Sequence, residues 1–350
     1  MTLRQIDLPR FQHILHEDLN SWKHTPGELE LRAKQNTAQR QIMRALPSLL
    51  VKGEMKHHHL VIGPRQSGKS TLLWQTIQSL KTEHSIPDNR IFYLEMDHPE
   101  LVKETLGGVM ESLFELCPDA SRKEPIFVFV DEICRSEDWG SWVKMFSDNG
   151  KPCRILATSS AFTWNTETPD SLVGRLHQHL LMPCNFLEYL EFKNLTYGLP
   201  ECFWVGYPSL KERLADIPSN ISLDPQIDAI LRQMMLFGAY PDCAARFASN
   251  NREGEYIRTI EAHPYLREIA KMVVSHDIPL LQEVRGRDKL INLLNTCASF
   301  ICKNAASKTL SRYAGIGSAT TTTELLKSII EAAFLMARIK NHIDLSLIHI

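Results

Sequence analysis

Net charge is nearly absent from this sequence: 39 Lys and Arg stand against 41 Asp and Glu, a formal charge of −2. No global field therefore draws the chain toward nucleic acid or a membrane surface. Long apolar runs are missing as well. No stretch reaches the about eighteen residues that a membrane-spanning helix needs, so no membrane partner is expected. The first residues, Met1-Thr2-Leu3-Arg4-Gln5-Ile6-Asp7, have an early acid and no apolar core, and do not read as a secretory signal. Cysteines occur at 117, 134, 153, 184, 202, 243, 297 and 302, but no two have C-x-x-C spacing. Zinc-ribbon and thioredoxin-like frameworks are thereby excluded, and reduced, mostly buried thiols in a cytoplasmic protein are expected. His57, His58 and His59 are adjacent, yet successive side chains on a strand alternate faces, so three such rings do not converge on one ion. They read as the entrance of a strand. A chain of 350 residues can bury a large core and suggests two domains or three small pieces.

What is present is one strong motif. Gly63-Pro64-Arg65-Gln66-Ser67-Gly68-Lys69-Ser70-Thr71 reads G-x-x-x-x-G-K-S, the phosphate-binding loop of P-loop NTPases. The short apolar run His59-Leu60-Val61-Ile62 precedes it. Leu72, Leu73, Ile77 and Leu80 follow at helical spacing. Strand, glycine turn and helix are the context the motif requires. A triphosphate is densely anionic, and a helix N-terminus offers unpaired N–H groups and a partial positive charge. Gly63 and Gly68 permit the backbone angles and close approach that aim those groups inward. Lys69 is expected to reach the β- and γ-phosphates, and the Ser70 hydroxyl to ligate Mg²⁺.

A second stretch completes that chemistry. Ile126-Phe127-Val128-Phe129-Val130-Asp131-Glu132 is an unbroken apolar run ending in two acids. It reads as a strand buried on both faces of a parallel sheet, with its acids where α/β sheets bind ligands. Asp131 is expected in the Mg²⁺ shell and Glu132 on the attacking water. Ile91–Asp97 reads as another strand, with Glu95 and Asp97 on one face, either toward the nucleotide or merely ending the strand. Leu101 to about Leu116 reads as a helix, Trp139 to Phe146 as a short one, and Arg154–Ser160 as the next strand. If that strand neighbours Asp131, Thr158 or Ser159 would bond the attacking water or the γ-phosphate. A hydroxyl-rich turn capping the next helix is the alternative. Alternating strands and helices predict βαβ units and a parallel sheet.

Residues 1–55 read as amphipathic helices. Leu15 and Leu19 lie one turn apart, Pro26-Gly27 makes a break, and Ile42, Leu46, Leu49 and Leu50 form a stripe in which Pro47 must kink or restart the helix. Between 191 and 236, prolines at 208, 218 and 225 bound helical pieces such as Leu210–Leu214 and Ile227–Met235. Trp204 and Met234-Met235 there read as core. Residues 252–340 read as mostly helical: Leu290 to Ile301, Lys308 to Ala314, a Gly315-Ile316-Gly317 turn, and Thr320 to Ala337. That spacing predicts a winged helix-turn-helix. Residues 251–343 hold 13 Lys and Arg against 9 Asp and Glu. The surface is only mildly basic, leaving DNA contact and protein packing both open.

These pieces together resemble the prokaryotic AAA-type ATP-binding proteins that join a P-loop domain to a C-terminal domain of unknown function. The resemblance rests on Gly63–Thr71, Phe127–Ile133, Asp138-Trp139, Ala157–Ala161, and Ser171-Leu172-Val173-Gly174-Arg175 with Pro183, Phe186, Glu188, Tyr189 and Leu190. It extends to Gly238-Ala239-Tyr240-Pro241 and Tyr256–Ile260. Ser159 and Ala239 stand where the family commonly has glycine. The resemblance implies a three-layer α/β P-loop NTPase domain with a mostly parallel sheet, then a helical domain with a winged helix-turn-helix. The expected layout is an N-terminal helical segment (1–40), an AAA-type ATPase domain (41–190), a helical lid or linker (191–250) and the helical domain (251–344). It also gives Arg175 a role: an arginine after the sensor strand approaches the γ-phosphate, from its own or a neighbouring subunit, which implies a possible oligomer. A structural arginine paired with Asp170 or Glu188 is the alternative. Leu345–Ile350 reads as the translation of a transposon end, so six non-native residues and a shortened gene are expected, without the endonuclease-like segment found in relatives.

The expected function is ATP binding with Mg²⁺ and slow hydrolysis, coupled to a DNA or protein partner through residues 251–343. The alternative is a nucleotide-dependent switch with negligible turnover. A small-molecule kinase fits less well, because the paired acids after the strand and the Gly-Arg block look like an ATPase.

Overall fold

The structure is a computed structural model and describes residues 7–33, 39–54, 57–160, 172–193, 225–246, 264–278, 287–300 and 305–327. The described residues fall into two compact units. One draws on residues 1–36, 41–182 and 267–350, the other on 37–40 and 183–266.

The first unit is built on five strands: β1 (His58–Ile62), β2 (Ile91–Glu95), β3 (Ile126–Asp131), β4 (Cys153–Ser159) and β5 (Leu176–Leu180). They form one sheet in the order β2-β3-β4-β1-β5, and every pairing is parallel. β1, β3 and β4 lie in the middle, so each is covered on both faces and reads as an apolar run. Helices α1 (Leu8–His13), α2 (Glu28–Arg32), α3 (Leu46–Lys52), α4 (Lys69–Thr82), α5 (Leu106–Leu116) and α6 (Trp139–Asp148) surround the sheet. Successive strand side chains alternate faces, and the core divides accordingly. Leu60, Ile62, Leu94, Val128, Val130 and Ile155 pack with Phe11 of α1, Val109 and Leu113 of α5, and Val143 and Phe146 of α6. Val61, Tyr93, Phe127, Phe129 and Leu156 pack with Leu72, Leu73, Ile77 and Leu80 of α4 and with Leu46 and Leu50 of α3. These are the three layers expected.

Several boundaries differ from the sequence expectation for identifiable reasons. β2 stops at Glu95 and Asp97 falls in a turn, so the two acids do not share a strand face. α5 starts at Leu106, not Leu101, because the Thr105 hydroxyl accepts from the Gly108 N–H at 3.1 Å and caps it. Pro47 sits in the first turn of α3 and so restarts the helix, where its missing N–H costs nothing. Leu15 and Leu19 are buried as expected, but in a π-helical turn, Ile14–Leu19. β5 was not legible: Leu-His-Gln-His-Leu has no apolar run, because it is a half-exposed edge strand.

The other edge, β2, is covered by one side chain. Asn20 is 1 % exposed. Its amide oxygen accepts from the Tyr93 N–H at 2.8 Å, while its amide nitrogen donates to the Tyr93 carbonyl at 3.0 Å and to the Leu15 carbonyl at 2.9 Å. It pairs with the edge as a neighbouring strand would.

In the second unit, α7 (Phe186–Phe192), α8 (Pro225–Phe237) and α9 (Pro241–Arg246) pack around Tyr189, Leu190, Ile230 and Ala244. Asn185 and Glu188 form a reciprocal capping box at the start of α7. Glu188 also receives a two-pronged, buried contact from Arg40, at 2.9 and 3.0 Å. Gly238 ends α8 at φ +87°, before Pro241 opens α9. Toward the C-terminus, α10 (Arg287–Ser299) packs on α11 (Ser307–Tyr313) and α12 (Ala319–Lys327). Gly315, at φ +70°, lies in the turn between the last two. Two short helices therefore flank a glycine turn there. Among the described residues no strand follows Leu180, so no wing is seen there. Residues 328–337 of the last expected helix, Trp204, Leu210–Leu214 and Tyr256–Ile260 lie outside the described residues. Among the described residues no helix is long and apolar enough to cross a membrane.

The histidines before the loop divide between the faces. His58 is buried, and its Nδ1 accepts from the Ile155 N–H at 3.2 Å. His59 points the other way, stacks on His177 and His179 of β5, and its Nδ1 lies 2.9 Å from His179 Nε2. Burial, chiefly, pushes the pKa of His58 down to about 3. A folded-state pKa below the unfolded 6.5 means that the unfolded chain takes up the proton first. Stability is therefore lost as pH falls below about 6.5, increasingly until about 3. His58→Asn keeps an acceptor and removes the titration. Its folding free energy, from urea unfolding, should depend less on pH in that window, by about 1.4 kcal/mol per pH unit.

Candidate functional site

The loop after β1 meets its helix at the carboxyl edge of the sheet. Gly63 donates to the Ser159 carbonyl at 3.2 Å, and Leu181 donates back to the Ile62 carbonyl at 2.7 Å. The loop is thus held between β4 and β5. A Cβ on Gly63 would sit 2.1 Å from the Leu181 carbonyl oxygen, so only glycine allows this approach. Gly68 takes φ +94° at the N-cap of α4. Gln66, exposed, also has a positive φ of 60°, which bends the loop back on itself. The Ser67 N–H donates to the Pro64 carbonyl at 3.3 Å. Lys69 is 6 % exposed, with its ammonium 3.0 Å from each of the Gly63 and Pro64 carbonyls. Arg65 and Thr71 are half-buried, Ser67 is buried, and the Ser70 side chain is exposed on the first turn of α4. A lysine charge and a helix N-terminus thus converge on one small loop.

The acids lie beside it on the same edge. Ile62 pairs with Ser159, and Val130 with Ala157. β4 therefore sets Thr158 between the loop strand and Asp131. The Thr158 hydroxyl donates to Asp131 Oδ1 and accepts from the Glu132 N–H at 3.1 Å. The Tyr93 hydroxyl donates to Asp131 Oδ2 at 3.0 Å. Glu132 is bent to φ +50°, and its Oε2 accepts from the Ser160 N–H and hydroxyl at 3.1 and 2.9 Å. A non-glycine residue in this region is uncommon, and such strain gathers at functional sites. Glu95 pairs with Asp131 in register. Burial first, then the charges of Asp97 and Asp131, raises its pKa. Asp131 and Ser70 carry side-chain oxygens, the donor type that Mg²⁺ prefers.

Arg175 stands elsewhere. It immediately precedes β5, beside the start of β1, where its carbonyl accepts from the His58 N–H at 2.8 Å. Its Nε donates to Asp148 at 2.6 Å. The six residue steps from Arg175 to Leu181 span roughly 20 Å along the strand, so Arg175 and the Gly63–Thr71 loop of the same chain occupy opposite edges of the sheet. Of the two partners expected from the sequence, Glu188 is bonded to Arg40, and Asp170 lies outside the described residues.

Tyr93 and Asn20 do not stand out in the sequence as parts of this site. A tyrosine within an apolar strand was the available signal, since a buried phenol needs a partner. Nothing local named Asp131 as that partner.

A mostly parallel sheet, helices on both faces and a glycine loop opening α4 define the class: a three-layer α/β P-loop NTPase fold. The family model described as an AAA domain, AAA_14, matches residues 56–190. "Uncharacterized protein MJ1544" of Methanocaldococcus jannaschii is 26% identical over 235 residues, covering 67% of this chain. The chain spans about half of that relative, 46% of its length. Among solved structures, C. elegans PCH-2 is similar with a TM-score of 0.41 at 13% identity, over 69% of this chain and 73% of that one. The Thermotoga maritima RuvB Holliday junction branch migration motor is similar with a TM-score of 0.36 at 15% identity, over 85% and 86%.

Tyr93→Phe keeps the ring that packs 4.0 Å from Trp74 and removes only the donor to Asp131. Loss of one donor to a buried carboxylate should cost about 1–3 kcal/mol of folding stability, read from urea unfolding with the slope unchanged.

Proposed function

We propose that this chain binds ATP with Mg²⁺ and hydrolyses it to ADP and phosphate, at a rate set by a partner. The observation that carries the reading is the meeting of the Gly63–Thr71 loop with the Asp131–Thr158–Glu132 network across β4 on one sheet edge. In this reading the loop N–H groups and Lys69 hold the phosphates, and Ser70 and Asp131 hold the metal. Mg²⁺, when bound, neutralises charge on the phosphate oxygens. Thr158 fixes Asp131, and Glu132 orients the attacking water. Catalysis is then mostly positioning and electrostatics.

Ser160 holds the Glu132 carboxylate through Oε2. A partner that changes this contact would redirect the carboxylate and change the rate of turnover. The same contact supports the second reading, a switch whose ATP and ADP states present residues 251–343 differently to DNA or a protein. Unequal partner affinity in the two nucleotide states, with negligible turnover, would favour it.

Phosphate release from MgATP tests the enzyme. Lys69→Ala should abolish turnover, and Glu132→Gln should lower it about 100-fold or more while nucleotide binding persists. Tight binding without wild-type turnover would leave the switch standing, and no binding by the folded chain would remove both readings.

With the loop of its own chain at the far edge, a catalytic role for Arg175 runs through a neighbouring subunit. Inactive Arg175→Ala and Lys69→Ala chains, mixed, should then regain part of the wild-type activity, because a mixed contact joins one intact loop to one intact arginine. Absence of rescue would assign Arg175 to its ion pair with Asp148.

A further inference from the structure

The N-terminal corner holds a cluster that the nucleotide reading does not use. In the turn Ile14–Leu19 the Asn20 N–H reaches back five residues to the Leu15 carbonyl at 3.0 Å. Such π-turns insert an extra residue into a helix and recur at functional sites. Here the turn leaves His16 and Glu17 facing His24, which follows the tight turn Ser21–Lys23. His16 Nδ1 is 2.9 Å from Glu17 Oε1, and His24 Nε2 is 3.8 Å from Glu17 Oε2. The two imidazoles stack with centroids 4.5 Å apart. One donor atom from each of the three residues lies within 4.8 Å of the other two. All three side chains are exposed, so an ion reaches them without opening the fold.

Two imidazoles and a carboxylate suit zinc and its imidazole-preferring neighbours rather than Mg²⁺, which prefers an all-oxygen shell. Bonds of about 2.0–2.1 Å in a tetrahedron place donors roughly 3.4 Å apart, and the two separations found lie on either side of that. Capture tilts the two rings out of their parallel stack, a rotation open to exposed side chains.

We propose that His16, Glu17 and His24 form a three-ligand site for a zinc-class divalent cation, with a fourth position left to water. The ligands lie on both sides of Asn20, the residue that covers the β2 edge and grips Tyr93 at both backbone groups. A bound ion would therefore staple the corner that holds this clamp, and would stabilise the folded chain by mass action.

Zinc titration of the full chain without nucleotide, by calorimetry, tests the site. One zinc per chain should bind, and raise the melting temperature. His16→Ala and His24→Ala should each weaken binding at least about tenfold, as loss of a ligand does. The same chain loaded with Co²⁺ should show visible d–d bands that both variants lose. His177→Asn with His179→Asn, which empties the separate cluster on β5, should leave binding unchanged. No zinc bound, or affinity that survives the double loss of His16 and His24, would reduce the cluster to an exposed ion pair and overturn the proposal. Affinity lost with His177 and His179 instead would move the metal to β5 and overturn it equally. No readout involves ATP, so failure here leaves the nucleotide reading untouched.

Discussion

The site depends on a carboxylate placed where water is scarce. Asp131 is 5 % exposed at the tip of a strand covered on both faces. A buried charge is tolerated only when its oxygens are hydrogen-bonded. Thr158 from β4 and Tyr93 from β2 meet that need, one on each oxygen. Both donors come from the strands that flank β3, so strand order brings them to Asp131. Register matters as well, since a slip of one residue would turn each donor to the other face.

From that carboxylate the constraints run outward. Thr158 joins Asp131 to the Glu132 backbone, and β4 in turn holds the phosphate loop through the Ser159 carbonyl. Tyr93 is gripped at its backbone by Asn20, so the N-terminal segment is part of the support for the acid rather than an appendage. The phosphate loop has its own requirement. Gly63 approaches a carbonyl that leaves no room for a side chain, and Gly68 takes the left-handed turn that starts α4. Loop and acids are thus positioned by separate local devices and registered by one strand between them.

The second unit shows the same logic on a smaller scale. Glu188 caps α7 and pairs with Arg40 while buried. A pair of this kind contributes little net stability against an apolar replacement, but leaving one partner alone is costly. Its geometry therefore specifies how Arg40 meets α7 more than it strengthens that unit.

Four of the five strands, the phosphate loop and the two acids were legible in the sequence, because apolar runs, helical spacing and glycine positions report local backbone needs. The split of His58 from His57 and His59 followed likewise from the two-residue period of a strand. β5 escaped because an edge strand needs no apolar run. The start of α5 shifted to a cap at Thr105, and Asp97 left its strand for a turn. Tyr93 bonding Asp131, Asn20 covering β2, Arg175 at the far edge beside Asp148, and His16 meeting His24 were decided only by tertiary structure. Each joins residues whose side chains meet through the folding of intervening segments, and the residue types alone do not name their partners. The sequence by itself determined which chemical groups the chain carries, since those reside in residue types at short spacing. The fold decided which of those groups share an edge, since that depends on strand order and register.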